Sequence, residues 1–440
     1  MLRKIISISL AFVMCLWLCG CDFFATDTAK LLSPPALSGD LNPIAQAIEE
    51  SVGKDYTFKY PSRGNYRSAV VREDINGDGL LEAFAFYSTT DSETVTMNLN
   101  YICLVDGNWE SLAQQKLVAG GVDMLEFCDL DNDGISEMLV GWEIYGTSEM
   151  QLAVYSMSEN SLNQRMLKRY THFTTCDLNE DGKKEIFVIN ANSAESINTA
   201  AIYELSQNGV TELSTCELDS TAKTLNAPIS APLSSGKPAI YIDEIKGVGA
   251  VTEVLFMEKG KLVNPLFQPD SRETLSTLRS VAFSTTDMNS DGIPEIPVQK
   301  DVPSVMRSQL NEKLYLTEWC SFNGEKLTMQ QTTMINVNDG YYYIIPSKWV
   351  NNIAVLKDTD NRIREIYRYS AEEIIVNESL LYIKAVEKSD WDSGKYKSEN
   401  LQEIATNGET VFVCRISHLA EQEGLTIDTV RASFRLFEQE

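Results

Sequence analysis

The sequence predicts a mainly β chain: a β-propeller of about five repeated units with metal-binding loops, followed by a small α+β domain. Three observations predict it. A nine-residue pattern of carboxylates, carboxamides and one glycine occurs four times. The copies start at residues 74, 129, 177 and 287, so they are separated by 55, 48 and 110 residues, the last interval being about twice the others. Each copy runs into a short apolar segment such as Ala83-Phe84-Ala85-Phe86-Tyr87 or Ile186-Phe187-Val188-Ile189, the composition of a buried strand. Repetition at this period, with several short strands per unit, is the pattern of propeller blades.

The pattern is Asp-x-(Asp/Asn)-x-Asp-Gly-x-x-Glu. Its oxygen-bearing positions are Asp74, Asn76, Asp78 and Glu82; Asp129, Asp131, Asp133 and Glu137; Asp177, Asn179, Asp181 and Glu185; and Asp287, Asn289, Asp291 and Glu295. Alternate oxygen ligands on a short loop suit a hard cation, and calcium takes six to eight oxygens. The glycine at position 6 permits the sharp turn, because it adopts positive φ without steric cost. An EF-hand begins the same way but needs a bidentate Glu at position 12 and flanking helices. Position 12 is Ala85, Val140, Val188 or Val298 here, and the flanks read as strands. The expectation is therefore four calcium loops, each joining two strands, with backbone carbonyls at position 7 completing the sites.

The double interval between the third and fourth loops predicts a concealed unit. Ser235-Gly236-Lys237-Pro238-Ala239-Ile240-Tyr241-Ile242 lies midway, keeping the glycine and the following strand but none of the ligands. It reads as a degenerate repeat without metal. Asn98–Leu104 and Leu152–Ser156 supply further strands. The loops and flanking strands, over about residues 66–332, resemble the FG-GAP/VCBS repeats of integrin-type β-propellers, and that resemblance implies a calcium-binding propeller. The chain start and end are similar to a group of bacterial VCBS-repeat lipoproteins, a likeness that implies no activity.

Taken in order, residues 1–20 open with Arg3 and Lys4 and continue as the apolar run Ile5–Leu18, the form of a secretory signal. Leu18-Cys19-Gly20-Cys21 resembles a lipobox, which would make Cys21 the lipid-modified first residue; a plain signal peptide with a chance cysteine is the other reading. Residues 21–40 read as a tether, with Ser33-Pro34-Pro35. Residues 41–65 hold a short helix and lead-in: Pro43 suits the first turn, Ile44, Ala47, Ile48 and Val52 form one face, and Gly53 can end it. Tyr66 to Val71 reads as the strand leading into the first loop. Residues 333–440 read as an α+β domain with an antiparallel sheet built from Gly340–Pro346, Ile353–Leu356, Ile363–Tyr369, Leu380–Ala385 and Val411–Ile416, closed by a helix over Ile427–Phe437.

The 63 acidic against 37 basic side chains give a net charge of −26, which argues against nucleic acid as a partner. Six cysteines beyond residue 21 are widely spaced and read as buried free thiols, although an extracytoplasmic setting permits disulfides. Only two histidines occur, His172 and His418, neither beside a nucleophile motif, so Ser-His or Cys-His catalysis has little support. The functional expectation is a membrane-anchored extracytoplasmic lipoprotein, monomeric, using a calcium-stabilised propeller as a non-catalytic module that binds or scaffolds an extracellular protein or glycan. The alternative is an extracellular glycan hydrolase or lyase with carboxylates in the propeller mouth.

Overall fold

The computed structural model describes residues 41–91, 94–147, 149–158, 161–192, 197–305, 314–370 and 375–437. The expected signal, Cys21 and tether lie outside them. The chain is mainly β, in several antiparallel sheets, and falls into two compact units, up to Arg169 and from Tyr170 onward. Among the described residues no helix is long and apolar enough to cross a membrane.

The first unit begins with helix α1 (Asn42–Val52), ended by Gly53 at φ 81°, whose N–H bonds the Glu49 carbonyl. Ile44, Ala47 and Ile48 are buried, as the spacing predicts. Two sheets follow. The first contains β1 (Tyr56–Phe58), β2 (Val70–Glu73), β3 (Glu82–Asp91), β4 (Thr94–Val105) and β5 (Asn108–Leu117); the second contains β6 (Ala119–Cys128), β7 (Glu137–Ile144), β8 (Met150–Ser158) and β9 (Ser161–Tyr170). Successive strand residues point to opposite faces. On β3, Ala83, Ala85 and Tyr87 accordingly meet α1, while Phe84 and Phe86 join a core with Met138, Val140 and Trp142 of β7. The expected strand from Tyr66 starts only at Val70; Tyr66 lies ahead of it and donates its hydroxyl to Glu73 (3.0 Å).

In the second unit, β10 (His172–Cys176), β11 (Glu185–Asn192), β12 (Ile197–Ser206) and β13 (Gly209–Leu218) form one four-stranded meander. The next sheet is β14 (Thr224–Leu225), β15 (Ile229–Pro232), β16 (Pro238–Lys246), β17 (Gly249–Glu258) and β18 (Lys261–Val263). Strand β16 serves two cores by alternation: Ile240 and Ile242 pack with Phe187 and Ile202, whereas Tyr241 packs with Ile296 and Phe322. A short hairpin, β19 (Phe267–Gln268) and β20 (Glu273–Thr274), comes next. Then come β21 (Ile296–Val302), β22 (Leu314–Phe322), β23 (Leu327–Asn336) and β24 (Tyr341–Ile344) in one sheet. Strands β25 (Ile353–Asp358), β26 (Ile363–Ser370), β27 (Ile375–Glu387), β28 (Gln402–Asn407) and β29 (Thr410–Ile416) form another.

Two details of the C-terminal region differ from expectation. The anticipated boundary at residue 333 falls inside β23, which pairs onward with β24, so one sheet runs through it. The closing helix also ends early. The short helix Ile427–Ser433 has a Thr426 capping box and gives way at Phe434 to an extended strand, β30 (Phe434–Leu436), that pairs with β24. Phe434 gains more as a strand residue, because its ring stacks on Tyr341 (4.7 Å) and tilts against Phe412 (5.2 Å) in the core between the last two sheets.

Candidate metal-binding loops

Each of the first three motif loops joins two paired strands that are consecutive in the chain: β2 to β3, β6 to β7, and β10 to β11. The fourth spans the isolated bridge Thr286–Glu295 and leads into β21. None is flanked by helices. In every loop the position-9 glutamate folds back beneath the turn and accepts the position-2 backbone N–H: Ile75 to Glu82 (3.0 Å), Leu130 to Glu137 (3.0 Å), Leu178 to Glu185 (2.8 Å) and Met288 to Glu295 (2.8 Å). All four glutamates are buried. The position-1 aspartate accepts the N–H of the position-6 glycine in each: Gly79 (2.9 Å), Gly134 (3.0 Å), Gly182 (3.0 Å) and Gly292 (2.8 Å). The position-5 aspartate accepts from position 7: Leu80, Ile135, Lys183 and Ile293, at 2.7 to 2.9 Å.

The pattern predicts the left-handed conformation at position 6. Position 4 adopts it too, at Gly77, Asn132, Glu180 and Ser290 (φ 60–71°). Only the first copy places a glycine there, and asparagine is the commonest non-glycine residue in that region. Position 4 carries no fixed residue type, so the pattern could not reveal it.

The four loops then divide. One carboxylate oxygen from each of Asp129, Asp131 and Glu137 lies within 4.8 Å of the other two, as does one from each of Asp177, Asp181 and Glu185. In the second loop Asp129 Oδ1 and Asp131 Oδ1 are buried without a hydrogen-bond partner, and in the third so is Glu185 Oε1. Buried oxygens of this kind are normally satisfied. Burial pushes the Glu137 acid up to about 7, with Asp131 and Asp133 adding to it and the Leu130 N–H opposing; Glu185 is pushed up to about 6 for the same leading reason. In the first and fourth loops the position-3 amide donates to the position-9 glutamate instead, Asn76 Nδ2 to Glu82 (3.5 Å) and Asn289 Nδ2 to Glu295 (2.8 Å), whereas Asn179 in the third donates to Asp181 (3.2 Å). Two acidic clusters could therefore hold a metal ion, and a hard cation fits their orphaned oxygens.

The degenerate unit is visible as a turn between β15 and β16. Leu233 N–H bonds the Lys237 carbonyl (2.8 Å), and Gly236 has φ 87°. Its position 2 is Pro232, which has no N–H, and its position 9 is Ala239. Donor and acceptor of the fold-back bond are thus missing together, which leaves a bare β turn.

His172 Nε2 lies 2.8 Å from the Leu225 carbonyl, and His418 is exposed beside Gln422. Tyr341 and Tyr343 are buried, and Trp349 is buried with its indole N–H on Glu423 (2.6 Å), so these aromatics offer no stacking surface. Trp391, on the short helix Lys388–Asp392, packs on Val386, Val411 and Val413. The six cysteines are free thiols, with Cys128, Cys176, Cys320 and Cys414 buried.

No family model matches the chain, and no curated protein does. Among solved structures, similarity is found to an exotype rhamnogalacturonan lyase (12% identity, TM-score 0.30, covering 74% of this chain and 84% of that one). It is found also to a periplasmic gluconolactonase of Pseudomonas aeruginosa (10%, 0.28, 73% and 86%) and an exo-β-1,3-galactanase of Phanerochaete chrysosporium (9%, 0.26, 76% and 79%). At these values the neighbours bring no activity or substrate to this chain.

Proposed function

We propose that the motif loops hold calcium and that the chain is a non-catalytic binding or scaffolding module, its repeated sheets forming the blades of a propeller. The observation that carries this reading is the second loop, where Asp129 and Asp131 present unpartnered buried oxygens beside the buried Glu137. Bound there, the ion would neutralise crowded carboxylates and fix the turn between two strands. Asp133, with Asp177, Asn179, Asp181 and Glu185 in the third loop, completes the stronger pair of sites. Asp74, Asn76, Asp78 and Glu82, and Asp287, Asn289, Asp291 and Glu295, form a second pair in which, as at Asn179, the asparagine must turn its oxygen inward. The partner is an extracellular protein or glycan, met from a position outside the cytoplasm where Cys21 carries the lipid anchor.

Calcium calorimetry on the chain, with melts in calcium and in chelator, tests the metal. About four ions with a marked rise in melting temperature are expected, since a ligand that binds only the folded state adds about 2.7 kcal/mol at a hundred times its Kd. Absence of binding would sink the reading. For the anchor, Cys21→Ser should move the protein out of the membrane fraction, and continued membrane association would refute lipid attachment.

A further inference from the structure

The sheet whose loop lost its ligands carries carboxylates elsewhere. Beyond Ile240 and Ile242, β16 places Glu244 and Lys246 on the same face, and β17 places Glu253 opposite Ile242, diagonal to Glu244. Glu244 and Glu253 are both fully buried. Glu253 is satisfied: one oxygen accepts the Asp219 N–H (3.0 Å), and the other accepts Thr274 Oγ1 (2.7 Å) and Asn264 Nδ2 (2.8 Å). Glu244 is not, since neither of its oxygens has an N–H or O–H donor.

The groups facing Glu244 are Glu253 on β17, Asp219 beyond β13 and Lys246 on its own strand. Behind them stand Glu273 on β20, which shares Lys246, and Cys216 on β13, which faces Glu253. Lys246 is the one cation of this group, and it is engaged by Asp219 (3.0 Å) and Glu273 (2.7 Å). Two ionised carboxylates in contact in a dry site repel too strongly to persist. A metal ion would relieve this only if several ligand atoms converged, and the convergent acidic groups found among the described residues lie in the loops instead.

We propose that Glu244 is held as a neutral carboxylic acid whose O–H donates to the Glu253 carboxylate, so that the fold around β16 and β17 is tightest at acidic pH and loosens as pH rises. Burial drives the Glu244 acid well above its ordinary range, Glu253 and Asp219 push the same way, and Lys246 opposes them. The sign follows from linkage. The folded chain keeps a proton that the unfolded chain releases near its ordinary pKa of about 4.3. The contribution is therefore complete below that value and is lost as pH climbs toward the folded pKa.

The test compares wild type with Glu244→Gln, both in chelator, by melting temperature between acidic and mildly alkaline pH. The amide keeps a donor for Glu253 and cannot titrate. Wild type should lose about 2–4 °C per pH unit relative to the variant over that window. Its infrared spectrum at neutral pH should show the carbonyl stretch of a protonated carboxylic acid that Glu244→Gln lacks. Parallel pH curves would overturn the proposal. So would a wild-type spectrum without that band, which can be read even if the variant fails to fold. Loss of one calcium from the stoichiometry of Glu244→Gln would also overturn it, by putting a cation where the proton is assigned.

Discussion

Replacing Asp131 by asparagine should stabilise the chain in chelator and leave it nearly unchanged in calcium. With no cation, Asp131 adds a third carboxylate to a group in which one oxygen from each lies within 4.8 Å of the other two. Two unit charges at that distance repel by roughly 1 kcal/mol in water-like surroundings and by 3–4 kcal/mol at the effective dielectric of a protein surface. Asp131 is half-buried, so removing its charge should stabilise the chelated chain by about 1–2 kcal/mol, or roughly 3–6 °C in the first unit. The loops with asparagine at this position show how the amide would sit, since Asn76 and Asn179 donate to the neighbouring aspartate at 3.2 Å. With calcium the gain is offset, because a tenfold weaker site lowers the binding contribution by about 1.4 kcal/mol and the advantage disappears. Thermal melts of both proteins, each in calcium and in chelator, read the difference directly. An equal shift in the two conditions would show that Asp131 has no part in holding a cation.

Three further outcomes follow from particular contacts. A Cβ on Gly249 would lie 1.9 Å from the Arg279 carbonyl oxygen, so Gly249→Ala must break the Ala250–Arg279 bridge; urea unfolding should show a loss of about 2–3 kcal/mol, and an unchanged midpoint would refute the close approach. Glu423 is partly buried, yet its bonds from Trp349 and Arg368 and the nearby Lys348 hold its acid below the usual range. Its contribution is present above the unfolded pKa and is lost as pH falls, so Glu423→Gln should unfold with a weaker acid dependence than wild type; parallel acid limbs would count against it. Ser235→Asp should add no calcium to the titration, because Pro232 and Ala239 still lack the fold-back bond and Ala231 and Leu233 lack oxygens; an extra bound ion would show that one carboxylate suffices.

What was legible in the sequence was whatever repeats or alternates. The loops could be read because acid, amide and glycine recur at fixed positions, and α1 because Ile44, Ala47 and Ile48 fall at helical spacing before Gly53. Alternation predicts that at least one side of Tyr341-Tyr342-Tyr343 is buried, and the buried side is that of Tyr341 and Tyr343. Features set by distant partners were hidden. Phe434 lies at helical spacing from Val430, and only stacking on Tyr341 from nearly a hundred residues away makes it a strand residue. Glu244 reads as an ordinary polar residue after Ile240-Tyr241-Ile242, because its isolation depends on Asp219, Glu253 and Glu273 arriving from three other segments.

The degenerate unit shows why a loop can lose its metal while its sheet persists. In the loops with ligands, one short turn links two strands through the buried glutamate and whatever cation the acids gather. Around β16 and β17 that linkage is replaced by side chains reaching into the irregular stretch 264–285. Asp243 accepts from Arg279 (3.0 Å), Thr252 (2.6 Å) and the Thr285 N–H (2.7 Å), while Asp219 accepts from the Thr274 N–H (2.8 Å) and Lys246. Asp243 and Arg279 are both nearly inaccessible, and removing one partner of such a pair costs about 3–5 kcal/mol. Chelation should consequently open the chain unevenly. Limited proteolysis in chelator ought to cut first at the loops around Asn132 and Glu180 and to spare 264–285, whereas early cleavage in that stretch would mean that its buried carboxylates do not substitute for a cation.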